Sequence, residues 1–226
     1  MKENQYYKNE ALAALKGKWA PAVLAVLAYF VLSTVFLAPY QIKAAELQND
    51  PTNLELAMDL MKVYPLLLLG MLLVISPLLV GLVNCFKELL VKSDERMLQN
   101  EFKIGFGNYF HHVWGYFLNR FFVFLWSMLF LIPGFIKMLS YAMTNYILVD
   151  RPELSANEAI NLSKDMMYGH KFDLFYLYLS FAGWLILSVF TLGIGLLWLI
   201  PYAQTAQASF YLDVKEDYER RKGVSF

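Results

Sequence analysis

The chain has 226 residues, 58% of them hydrophobic and 17% aromatic, above the ~45–50% apolar content of soluble domains, which argues against a water-soluble fold. Its Lys and Arg balance its Asp and Glu at 19 each, so no basic excess marks a nucleic-acid binder and none is expected as a partner. The lone Cys85 can form no internal disulfide, no zinc-ligand spacing is present, and Cys85 reads as a small packing residue.

Residues 1–18 are polar, but Tyr6, Tyr7, Ala11, Leu12, Ala14 and Leu15 recur at helical spacing and predict an amphipathic surface helix. Gly17 suits its stop and Pro21 the first turn of the next helix. The first apolar segment, about 19–40, is too long for a signal-peptide core and reads as a membrane anchor. An acidic loop over 41–62 follows, with a capping box at Thr52–Glu55 that leads a short helix into segment 2, about 63–86. Pro77 is expected to kink that segment. Residues 87–108 form a charged loop with a helix in it. Segment 3 covers about 109–131, the uncharged turn Ile132–Gly134 follows, and segment 4 runs about 135–149. The second long loop, 150–171, carries a capping box at Ser155–Glu158 and a helix stop at Gly169. Segment 5 (172–190), the turn Thr191–Gly195, segment 6 (196–212) and a charged tail complete the chain.

The expected fold is therefore all-α: a polytopic integral membrane protein of six transmembrane helices in three hairpins, with amphipathic helices on the cytoplasmic face. Of the 19 basic residues, all but Lys43, Lys62 and Lys137 fall on the side of the tails and the two long loops. By the positive-inside rule both termini face the cytoplasm. The assignment depends on segments 3 and 4 forming a hairpin; were they one broken helix, everything beyond Pro133 would flip. The chain reads as a single membrane domain over 1–226. Its units 1–86, 87–149 and 150–226 each follow the order amphipathic helix, interfacial aromatic, hairpin, with Pro77, Pro133 and Pro201 in the second helix of each hairpin. These units fit either a threefold parallel repeat or the ordinary periodicity of hairpins.

Polar residues inside the predicted bilayer are the functional candidates. In segment 4, Lys137, Tyr141 and Asn145 stand at i, i+4 and i+8; in segment 6, Gln204 and Gln207 share a face. Amides in hydrocarbon must face one another, water or a ligand. Two readings stay open: interhelical glue, or a polar path for a ligand. Lys137 can snorkel to the outer surface or meet an anionic group. No Asp or Glu lies in a predicted membrane core, Asp173 and Asp213 being at cytoplasmic ends, which disfavours a proton-driven pump. No motif for nucleophilic, metallo- or nucleotide chemistry occurs, His111 and His112 lack a ligand set around them, and no catalytic residue, cofactor or metal is expected.

A family resemblance rests on long motifs in order: Ala11–Trp19 (ALAALKGKW), Phe124–Met143 (FLWSMLFLIPGFIKMLSYAM), Asn145–Asp150 (NYILVD), Leu154–Ile160 (LSANEAI), Ser163–Lys171 (SKDMMYGHK) and Leu192–Tyr202 (LGIGLLWLIPY). Together they resemble a bacterial integral-membrane family known only as domain of unknown function 975. The resemblance implies a bacterial inner-membrane protein with no assigned activity and no functional residues to carry over. Two functions remain in view. One is binding or transport of a small molecule or lipid along the polar path of segments 4 and 6. The other is a non-catalytic scaffold docking a protein partner, or a second copy, on its cytoplasmic helices, with membrane lipids around it.

Overall fold

The computed structural model describes residues 2–94 and 96–223. Within them every regular element is a helix. Helix α1 (Asn4–Leu15) precedes a long hairpin of α2 (Trp19–Asn49) and α3 (Leu54–Lys92). The expected loop 41–62 is helical except for 50–53, because Ala44, Ala45, Glu46 and Leu47 are strong helix formers and carry α2 onward. The start of α3 also differs by one residue from the expected capping box. Asn53 is the cap, its Oδ1 accepting from the Leu56 N–H at 3.0 Å, while the Thr52 hydroxyl donates to Asp50 at 2.7 Å. Helix α3 continues through Pro65 and Pro77.

Lys18 and Lys43 bracket the apolar part of α2, and Lys62 and Lys87 that of α3. Each pair is separated by about 37 Å of helix, enough for a ~30 Å hydrocarbon layer. Three stretches are long and apolar enough to cross a membrane: α2, α3, and the run Lys171–Phe190.

After α3 come α4 (Met97–Gly107), α5 (Tyr109–Leu129), α6 (Leu131–Ser140) and α7 (Thr144–Asp150). The chain reverses at the extended Phe130, slightly before the expected turn, and Pro133 falls in the first turn of α6. Helices α5 and α6 lie side by side. Gly134 is seated on Ser127, where a Cβ would overlap the serine. The two segments are thus a hairpin, not one broken helix. Segment 4 is itself interrupted at Tyr141–Met143, between α6 and α7.

Helix α8 (Ala156–Met166) begins with the expected capping box: Ser155 Oγ accepts from the Glu158 N–H, and Glu158 accepts from the Ser155 N–H at 2.7 Å. Gly169 adopts φ +88°, the left-handed conformation its stop requires. Helix α9 (Lys171–Leu179) and α10 (Ala182–Phe190) then lead through the turn 191–195 into α11 (Leu196–Lys222).

The amphipathic helices are built into the bundle rather than laid on it. Tyr7 and Ala11 of α1 and Met166 of α8 are fully buried in a core with Tyr146 of α7, Leu174 of α9 and Phe210 of α11. Leu15 of α1 joins a second core with Ala22 and Val26 of α2, Phe86 of α3 and Met97 of α4. Cys85 is buried in that core. Helix α4 meets α3 backbone to backbone: a Cβ on Gly81 would overlap the Glu101 carbonyl, and one on Gly105 the Pro77 carbonyl. Each of these helices turns one face to a core and leaves the opposite face exposed. Their apolar faces are narrow and close a core that segments 1 to 6 alone leave open.

Charged groups gather at one end of the bundle. Lys87 of α3, 4% exposed, pairs with Asp150 at the end of α7. Asp150 also accepts from the Tyr211 hydroxyl at 2.8 Å and from Lys215 at 3.4 Å. Burial alone would raise the Asp150 carboxyl, but the Lys87 charge and these hydrogen bonds outweigh it and hold the group below its usual range. Tyr7 donates to Asp213 at 2.6 Å, tying α1 to α11. Lys87 therefore does more than bias orientation: its partner Asp150 joins α3, α7 and α11.

Candidate functional site

A polar cavity of about 260 Å³ lies among α3, α5, α6, α7, α9 and α11. Its origin is the interruption of segment 4. A broken helix frees backbone groups, which hydrocarbon cannot satisfy, so neighbouring side chains must do so. Asn119 of α5 donates to the Tyr141 carbonyl at 3.0 Å. Ser163 of α8 donates to the Ser140 carbonyl at 2.9 Å and accepts from the Met143 N–H at 3.2 Å. Asn84 of α3 donates to the Asn145 carbonyl at 2.8 Å. Three different helices thus hold the break open, with Tyr141 and Ala142 on the cavity wall.

Tyr141, Asn145, Gln204 and Gln207 all line this cavity. Lys137 does not. The i, i+4, i+8 stripe presupposes a continuous helix, and the break turns α7 relative to α6. The Lys137 ammonium sits 4.3 Å from the Trp126 ring centroid and 5.8 Å from that of Tyr141. The two central amides do not close on each other: Asn145 Oδ1 and Gln204 Oε1 are buried and have no hydrogen-bond partner among the described residues. Each such orphan costs ~1–3 kcal/mol. Asn84 and Asn119 instead tie segment 4 to α3 and α5.

Arg120, on α5, also lines the cavity. It is the residue that sequence reasoning placed elsewhere, among the charges that fix orientation. It stands eight positions beyond His112, about 12 Å along the helix. Its guanidinium lies over the Tyr116 ring at 5.2 Å. The Arg120 side chain is exposed, and its ring contact is worth ~0.5–1 kcal/mol there. A single Arg in an aromatic run carries no periodic signal, so only its neighbours in space reveal it.

Glu101 was also missed. It lies outside the predicted segments, yet it is 0% exposed against Gly81 of segment 2, and neither carboxylate oxygen has a partner among the described residues. Burial pushes its carboxyl up to about 8. Glu101 belongs to the charged loop 87–108, and α4 carries its backbone against Gly81 of segment 2.

A larger groove of about 450 Å³ is lined by Trp19, Trp184, Trp198 and Leu187. Two of its three hydroxyls bond to the backbone of their own chain segment, Ser188 to the Trp184 carbonyl and Thr191 to the Ser188 carbonyl. It offers little to orient a polar solute.

Residues 128–218 match the family described as "Protein of unknown function (DUF975)". The match runs from the last turn of α5 into α11 and takes in the cavity wall from Met138 to Gln207. The opening motif Ala11–Trp19 lies outside it. No curated protein and no solved structure matches the chain.

Proposed function

We propose that this chain is a six-span protein of the bacterial inner membrane, with both tails cytoplasmic, that binds a small polar solute in the cavity between segments 4 and 6 and carries it or senses it without chemical change. The observation that carries the reading is the gathering of Tyr141, Asn145, Gln204 and Gln207 on the lining of one cavity, with the Asn145 and Gln204 amide oxygens left without a partner among the described residues. Interhelical glue would have satisfied them. Discontinuous helices around a polar site are a recurrent way to bind solutes in membranes.

Three features support the six-span reading. The chain doubles back at Phe130. The 21 residues of α5 extend about 31 Å. Lys87, Asp150, Tyr211 and Lys215 meet at one end of their helices, as a shared interface requires. The order short helix then hairpin recurs with α1, α4 and α8, which supports a threefold parallel repeat.

The scaffold reading would have to use the exposed faces of α1 and α8, since their apolar faces are buried within the bundle. Crosslinkers at Tyr7 or Met166, both 0% exposed, would report only the bundle's own core.

The test is solute retention by proteoliposomes incubated with a bacterial metabolite extract. Wild type is expected to enrich a polar solute over empty vesicles, and Asn145→Leu and Gln204→Leu to abolish the enrichment. Equal retention by wild type and both variants would remove the proposed site.

A further inference from the structure

The geometry points to a small oxyanion bearing a hydroxyl or ammonium donor as the ligand of this cavity, its acid group held by Arg120. The inference rests on the solute-binding reading and narrows it to one chemical class.

Among the described residues, Arg120 is the only formally charged one on the lining; the others are amides, tyrosines and apolar side chains. Among the described residues no carboxylate pairs with it. A cavity with one cation and no anion attracts negative charge and repels cations. The guanidinium's planar fork of N–H donors matches carboxylate or phosphate oxygens two at a time. Tyr116 meets the cation through its ring, a contact that uses the π-face and leaves the fork's edge available.

The amides define the other end of the ligand. Asn119, Asn145, Gln204 and Gln207 line the rest of the cavity, and their amides offer acceptors as well as donors, which suits a ligand that brings hydroxyl or ammonium donors beside its acid group. Size sets a further limit. The volume of about 260 Å³ equals the share of roughly eight or nine liquid waters. That room suits a hydroxy acid, an amino acid or a glycerol phosphate, and excludes a nucleotide. The glycerol phosphate could be free or the headgroup of a lipid, the two sharing the same chemistry.

The experiment is saturation-transfer NMR on the detergent-purified full chain, with lactate and its uncharged isostere lactamide as probes. Wild type is expected to give a strong signal to lactate and at least fivefold less to lactamide. Arg120→Gln should abolish the preference, and Arg120→Lys should restore part of it, with an unchanged circular dichroism spectrum showing that the variants are folded. Displacement of lactate by dihexanoyl phosphatidylglycerol but not by glycerol 3-phosphate assigns the site to a lipid headgroup; the reverse assigns it to a free solute. Equal signals to lactate and lactamide, indifferent to Arg120→Gln, would overturn the oxyanion inference while leaving a polar-solute site. Binding of none of these probes would overturn this inference; the solute-retention assay decides separately whether the broader reading survives.

Discussion

Glu101 makes the docking of α4 on α3 depend on pH. The carboxyl is pushed by burial from its ordinary 4.5 up to about 8. The groups near it from the neighbouring elements are Cys85 on α3 and Tyr29 on α2; on α5, His112 Nδ1 lies 2.9 Å from the Gly105 carbonyl, one turn away on α4. Between pH 4.5 and about 8 the docked helix holds a proton that the released helix gives up. Docking is therefore strongest below 4.5 and weakens by ~1.4 kcal/mol per pH unit until about 8, a total of about 5 kcal/mol, with no further loss above. Glu101→Gln removes the titration and is expected to flatten the dependence. Cys85, buried in the core that Met97 of α4 closes, is the natural reporter. Its alkylation by N-ethylmaleimide should be measured in wild type and in Glu101→Gln at pH 6 and pH 8, and the ratio of the two rates taken at each pH to cancel thiol ionisation. The ratio is expected to rise at least tenfold over that interval. A ratio that stays constant would refute the reasoning and show that α4 does not leave α3 when Glu101 ionises.

Two further substitutions test the packing. Gly81→Ala places a methyl group on the Glu101 carbonyl, a backbone atom that cannot rotate aside; it should expose Cys85 to alkylation at every pH, whereas Gly107→Ala, which meets nothing within 4 Å, should not. Lys87→Met leaves Asp150 with Tyr211 and Lys215 but without its buried partner, and should destabilise the detergent-solubilised protein by ~3–5 kcal/mol. The double variant Lys87→Met/Asp150→Leu is expected to recover part of that loss in thermal unfolding followed by circular dichroism.

The apolar segments, the helix starts at Ser155 and the stops at Gly17 and Gly169 were legible in the sequence because each is a local matter of hydropathy or backbone conformation. Positions of α1, α4 and α8 were not. Their periodicity announces an apolar face but not what covers it, and only Gly81 and Gly105 hint that two backbones touch. The break at Tyr141–Met143 contains neither Gly nor Pro; it is imposed by Asn119, Ser163 and Asn84 reaching in from three other helices. The same holds for the cavity. The polar residues of segments 4 and 6 stand out against hydrocarbon, whereas Arg120 was indistinguishable from an orienting charge, and Lys137 left the stripe once its helix was interrupted.

The most direct test of the account is the sidedness of the chain. In a Cys85→Ser background, Thr52→Cys at the tip of the α2–α3 hairpin and Lys222→Cys at the end of α11 should be expressed in bacteria and treated with a membrane-impermeant maleimide. Thr52→Cys is expected to react in intact cells, and Lys222→Cys only after the cells are opened. Labelling of both positions in intact cells, or of Lys222→Cys alone, would contradict an even number of crossings with cytoplasmic ends.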